Sequence, residues 1–152
     1  MAVTITFYNH TRKLFANGEV NLANLKLMLL DLGLTSPAAV FDATDTTIDA
    51  LSANEVDGGG WTTGGEALAS AAVTVVNTNE AKLDAADISV TATGVAIGPA
   101  THGVIYDDDQ SSPAVKNLLF FVDFDGAKTA DVGADFDVTF DANGIHLWSA
   151  PA

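Results

Sequence analysis

The chain carries three histidines, His10, His102 and His146, and twenty acidic side chains, and these are the groups from which proton transfer or metal chemistry would have to be built. The histidines lie far apart along the chain and show no zinc-ligand spacing. Each is read as a surface residue or a satisfied core residue. There is no Gly-x-Ser-x-Gly elbow for a nucleophilic serine. Gly58 and Gly60 begin a dinucleotide-type glycine pattern, but Thr63 stands where the third glycine would fall, and no glycine-lysine loop for phosphates is present. With no cysteine, thiolate metal sites, cysteine nucleophiles and disulfides are excluded.

Two acidic groupings resemble the start of a calcium loop. Asp107, Asp108 and Asp109 precede Ser111 and Ser112, yet Ser112 occupies the position of the required glycine and Leu118 that of the bidentate glutamate. Asp123 and Asp125 fail the same pattern, with Ala134 at the glutamate position. The first grouping is kept as a candidate ion loop, against the simpler reading of a solvated loop tip. Paired carboxylates for glycoside hydrolysis depend on a three-dimensional separation that spacing cannot supply. The expectation is therefore a protein without catalytic residues, metal or cofactor.

Binding is the better use of what remains. Trp61 is flanked by Gly58, Gly59, Gly60, Gly64 and Gly65, a large amphipathic ring within conformationally permissive backbone. Trp61, Gly59, Gly60 and Thr62 in this loop, with Phe41 and Ile48 from the weakly patterned segment Thr35 to Leu51, are the candidate protein-contact residues, because loops held on a rigid framework usually carry binding. Trp148 reads equally well as a core anchor.

These loops need a framework, and the patterning supplies a β one. Val3 to Tyr8 alternates as a short strand, Asn9 to Asn17 reads as a short helix capped by Asn9 and ended by Gly18, and Leu14 and Phe15 are its buried contacts. In Leu22 to Leu32 the leucines fit a helical face or one face of a strand, and strand is preferred. One helical turn is expected around Thr46 to Leu51. Ala71 to Val76 and Leu83 to Thr93 read as strands joined by a turn at Asn77 to Glu80, with Ile88, Val90 and Ala92 on one face. Gly94, Gly98 and Pro99 are expected to break the chain before Gly103 to Tyr106, and Asp107 to Pro113 to form a polar loop. Leu118 to Phe124 is apolar enough for a strand buried on both faces. Phe136, Val138 and Phe140 alternate with acids and threonine, and Asn143-Gly144 predicts a tight hairpin into Ile145 to Trp148. The fold class is mainly β: one domain over residues 1–152, an antiparallel β-sandwich or jelly-roll-like barrel with one short N-terminal helix and long Gly/Thr/Asp-rich loops.

Six basic against twenty acidic residues give a net charge of −14, which repels nucleic acid phosphates and anionic membranes. Met1 to Tyr8 lacks a basic n-region followed by an apolar h-region, and the most apolar stretch, Leu25 to Leu34, is short and carries Lys26 and Asp31, so neither a signal peptide nor a membrane span is expected.

The order of short segments carries a resemblance. Tyr8-Asn9-His10, Leu14-Phe15-Ala16-Asn17-Gly18, Leu25-Lys26-Leu27-Met28-Leu29, Asn54-Glu55-Val56, Gly60-Trp61-Thr62-Thr63-Gly64-Gly65 with Leu68, and later Leu83-Asp84-Ala85-Ala86-Asp87, Val104-Ile105-Tyr106-Asp107, Val122-Asp123-Phe124 and Asn143-Gly144-Ile145, together span nearly the whole chain. In this order they resemble a family of small tailed-phage virion proteins. The resemblance implies a β-rich component commonly encoded among head and tail genes, with no catalytic residues to carry over, and it favours strand for Leu25 to Leu30. In such proteins the Asp107 to Asp109 loop and the Ser36-Pro37 region look variable.

The expected function is a capsid decoration (cement) protein on the virion exterior, made in the host cytoplasm. It would bind the major capsid protein or other virion proteins as a homo-oligomer, with no nucleic acid or membrane partner. A tail, collar or fibre-base component and a carbohydrate-binding β-sandwich module are the alternatives. The acidic charge suits an exterior site, where salt screens it within about 8 Å.

Overall fold

The computed structural model describes residues 3–33, 41–109 and 115–149. It is mainly β, with its antiparallel sheets in a sandwich-like arrangement. The main sheet runs in the order β1 (Thr4–Phe7), β9 (Leu118–Ala130), β8 (Ile97–Asp107), β2 (Leu25–Leu30). Its last edge is shared by two short strands, β3 (Glu55–Val56) against Leu29 and Leu30 and β4 (Glu66–Ala67) against Lys26 and Leu27. Two smaller sheets complete the fold: β10 (Asp135–Val138) with β7 (Ile88–Thr91), and β11 (His146–Ser149), β6 (Glu80–Asp84), β5 (Ala72–Asn77) in that order.

The strand reading of Leu25 to Leu30 holds because successive side chains point to opposite faces and both faces are covered. Leu25, Leu27 and Leu29 join the larger apolar cluster, with Phe120, Val122, Phe124, Leu83, Phe136 and Val138, so all three sheets contribute to it. Met28 and Leu30 face the other way, into a second cluster with Tyr8, Val104, Tyr106, Leu118 and Phe121. Segment 41–54 roofs that second face: Ile48 and Leu51 are buried in it and Phe41 packs on Tyr8 and Phe121, ring centroids 5.1 and 5.2 Å away. The Ile48 amide donates to the Lys116 carbonyl and the Leu118 amide to the Thr46 carbonyl, which stitches the segment to the start of β9.

The expected helix is α1 (Thr11–Asn17), ended by Gly18 in the left-handed conformation at φ +68°. Its cap differs from expectation. His10 stands at the N-cap and makes no side-chain cap bond, while the Asn9 amide is spent on the Ala43 carbonyl. Thr11 Oγ1 donates to the Leu119 carbonyl at 2.7 Å and holds the helix on the sheet. The turn near Thr46 to Leu51 is a 3-10 turn at Ile48–Ala50.

Three other expectations are corrected. Leu83 to Thr93 is not one strand. The chain turns a corner at Ala85 to Asp87, where the Ala86 amide donates to Ala69 and an Asp87 carboxylate oxygen accepts from the Phe140 amide, so β6 and β7 enter different sheets. Gly98 and Pro99 do not end a strand; they lie within β8, whose register against β9 slips around Ala100. Gly98 has φ +108° and its backbone passes so near Lys128 that a Cβ would stand 2.5 Å from that carbonyl, so the glycine accommodates a bulge rather than a break. Asn143-Gly144 does form a turn, with the Gly144 amide bonded to the Asp141 carbonyl, but no hairpin follows. The Ile145 amide donates to Leu83, which hands the chain to β6, while β10 pairs with β7.

Among the described residues no helix is long and apolar enough to cross a membrane. The Ser36-Pro37 region and residues 110–113 of the acidic loop lie outside the described residues.

Candidate functional site

The Gly-rich loop leaves the main sheet at β3 and returns at β4, and its glycines serve close packing instead of openness. Gly59 has φ +63°, and a Cβ there would lie 2.7 Å from the Val95 carbonyl; its own carbonyl accepts from the Thr93 amide. Trp61 and Gly58 exchange backbone hydrogen bonds, the Thr62 amide donates to Glu66 at 2.7 Å, and Tyr106 donates its hydroxyl to the Gly64 carbonyl. Glu55 accepts from the Gly64 amide, and burial holds its carboxyl above the usual range.

The indole of Trp61 therefore faces inward. It is 2% exposed and belongs to the main core, so its expected place on a contact surface is corrected. Gly59 is also buried, and Ile48, likewise 2% exposed, and half-buried Phe41 serve as the roof over the second sheet face. Of the six candidate contact residues, Gly60 and Thr62 remain at the surface. An apolar residue in a weakly patterned segment reads as free for a partner, whereas the sheet's second face needs it as cover.

The acidic triplet divides its work. Asp107 is 4% exposed and accepts from the Asn21 amide at 2.7 Å and the Asp109 amide at 3.1 Å, pinning the start of the 3-10 turn Leu22–Asn24. Asp108 bridges Lys26, at 2.7 Å, and Lys116; burial opposes its ionisation, but the two ammonium groups hold its carboxyl below the usual range. Asp109 accepts from the Asn24 side chain at 2.9 Å. Lysines thus stand where a cation would, and among the described residues no three His, Asp or Glu side chains converge as metal ligands.

One arrangement has the components of a hydroxyl, imidazole and carboxylate relay. The His102 Nδ1 lies 2.9 Å from Thr101 Oγ1 and its Nε2 3.9 Å from Asp123. The single proton of the Thr101 hydroxyl has two acceptors in reach, His102 Nδ1 and the Leu30 carbonyl at 3.4 Å, and the imidazole tautomer follows from which of them it serves. Thr101 and His102 are nearly fully buried, and Thr101 also accepts from the Leu32 amide at 2.9 Å, so the hydroxyl ties β2 to β8 within the wall of the sheet. Burial lowers the His102 pKa first, opposed by Asp123 and Asp31.

The surface that sequence reasoning passed over lies along β5. Val73, Val75 and Val76 of β5 are 45%, 81% and 50% exposed. Beside them opens a groove of about 470 Å³ lined by Arg12, Phe15, Ala16, Val73, Ala81 and Trp148. Trp148 is half-buried, edge-on to Phe15 at 5.1 Å and to His146 at 4.8 Å, and forms one wall. The available signal was the run from Ala67 to Asn79, which holds no charged residue in a chain of net charge −14.

No family model, curated protein or solved structure matches this chain.

Proposed function

We propose that the protein is a non-enzymatic structural component of a tailed-phage virion, a capsid decoration protein that sits on the outer shell and braces neighbouring copies of the major capsid protein. The observation that carries this reading is the contrast on one β framework between a strongly acidic chain and an exposed apolar strip along β5, with a groove beside it whose one charged lining residue is Arg12. Such a strip is the mark of a surface that meets other proteins. The more buried carboxylates are spent on loop architecture, Asp107 on backbone amides and Asp108 on two lysines, which supports a binding role over chemistry. The acidic remainder favours the exterior, away from packaged nucleic acid. The ordered sequence segments point the same way. In this reading the protein is made in the host cytoplasm, takes no cofactor, and contacts neither nucleic acid nor membrane.

Burial takes Trp61 out of any glycan-binding surface, and of the two tryptophans only half-buried Trp148, in the groove beside β5, keeps an accessible face for that alternative. The test is electron cryomicroscopy of particles assembled with and without the protein. Density at repeating positions on the capsid lattice is expected. Density confined to the tail, collar or fibre base would transfer the protein there, and its absence from particles would end the virion reading.

A further inference from the structure

Among the described residues, β5 is the longest of the strands that end a sheet, at six residues. The main-sheet edge at β3 and β4 is cut into two-residue strands, and β10 bears Asp135 and Asp137. Short strands and charges blunt edges. Against this, Ala72-Val73-Thr74-Val75-Val76-Asn77 has neither charge nor proline, and one irregularity near Val76 ends its regular ladder with β6. Ala72 to Val75 therefore offers outward backbone donors and acceptors beside exposed valines.

We propose that this edge pairs antiparallel with β5 of a second copy, giving a two-fold dimer with a continuous sheet β11-β6-β5-β5-β6-β11. The inference rests on the reading above only in treating the strip as an attachment surface. Charge selects the occupant. Two chains of −14 repel over most of their surfaces and can meet closely only where both are neutral, and the thirteen residues from Ala67 to Asn79 provide such a place.

Strand geometry selects the register. Val73 and Val75 share a sheet face with Ala81 and Trp148, as their ladder partners require. Antiparallel neighbours must point to the same face, so a two-fold axis through Thr74 sets Val73 of one copy opposite Val75 of the other and Thr74 opposite Thr74. β-branched cross-strand pairs and paired threonines are favourable contacts. The apolar floor of each groove then continues into the next. Each edge is used once, so the arrangement closes at two copies and does not propagate.

The test is the mass of the purified full chain by light scattering across a concentration series. The wild type is expected to pass from one chain to two. Val75→Asp, at an exposed position, should keep the fold by circular dichroism and raise the dimer dissociation constant by about tenfold or more, because it sets a carboxylate against valine at the interface. Val132→Asp, on an exposed valine elsewhere, should dimerise as the wild type does. Raising salt from about 0.15 M to about 1 M shortens the screening length from about 8 Å to about 3 Å and should strengthen the dimer, whereas pairing with a basic protein would weaken. A wild type that stays monomeric throughout, or a Val75→Asp dimer of unchanged affinity, overturns the proposal. A monomer found on particles would sink the dimer and leave the virion reading standing; a dimer absent from particles would do the reverse.

Discussion

The Trp61 ring stands edge-on to Phe136, centroids 5.5 Å apart at 69°, and this contact joins the loop between β3 and β4 to the β7-β10 sheet. Trp61→Ala should destabilise the protein by about 3–5 kcal/mol in urea unfolding, the usual cost of emptying a large aromatic site. The indole Nε1–H meets no acceptor among the described residues, so Trp61→Phe gives up no hydrogen bond and should cost only about 1 kcal/mol. Equal losses in the two variants would show that the nitrogen is bonded after all.

Gly65 and Gly133 share a positive φ, +87° and +88°, but differ in surroundings. A Cβ on Gly65 would lie 2.3 Å from the Leu27 carbonyl, while one on Gly133 would meet nothing within 4 Å. Gly133→Ala should cost about 1–2 kcal/mol, the left-handed penalty alone. Gly65→Ala should cost about 3 kcal/mol or more, since β2 and β4 must part to admit it. Thermal unfolding of the pair separates the two effects.

The histidines predict how stability follows pH. Burial lowers the pKa of His10, His102 and His146 in the folded state, so near the ordinary value of 6.5 the unfolded chain takes up protons that the folded chain refuses. Their contribution is present above that value and is lost as the pH falls below it. The melting temperature should therefore drop between about pH 7.5 and about pH 5.5, the range in which histidine titrates. His102→Gln should be less stable at the upper end and show a shallower slope. An unchanged slope would remove His102 from the effect.

Asp108 and its neighbour Asp109 should behave very differently. Asp108→Ala strands Lys26 and Lys116 beside each other and should cost about 1–3 kcal/mol, while Asp109→Ala should stay within about 0.5 kcal/mol. Because the lysines lower the Asp108 pKa, its contribution is present above the ordinary 3.8 and is lost as acid takes the pH through the folded value. Calcium should leave the melting temperature unchanged; a rise would mean that the Asp107 to Asp109 cluster prefers an ion to its lysines.

What the sequence disclosed was what local pattern controls. Alternation in Phe136 and Val138 and the left-handed Gly18 each act within a few residues, and those elements stand where pattern placed them, whereas the leucines of β2 suited helix and strand alike. The misreadings share one cause. Gly58 to Gly60 and Gly98 looked like signs of loose chain, yet Gly59 and Gly98 are glycine because other backbone, at Val95 and Lys128, passes too near for a Cβ. Such proximity is tertiary and leaves no local trace. The same holds for Leu83 and Ile88, whose spacing suits one strand until the bond from Phe140 to Asp87 bends the chain between them. The β5 edge was legible as a strand, but its lack of a neighbour among the described residues is a property of sheet order.

The pairing of Thr4 with Asp123 bears on how the protein is born. The first strand leaves the ribosome long before β9 exists to receive it, so the main sheet cannot close until most of the chain has been made. A topology so dependent on distant pairings folds in about milliseconds to seconds, as all-β domains do. The β5-β6 hairpin needs only its own turn and can form in about microseconds. Its neutral outer edge is thus on display while the rest is still unfinished.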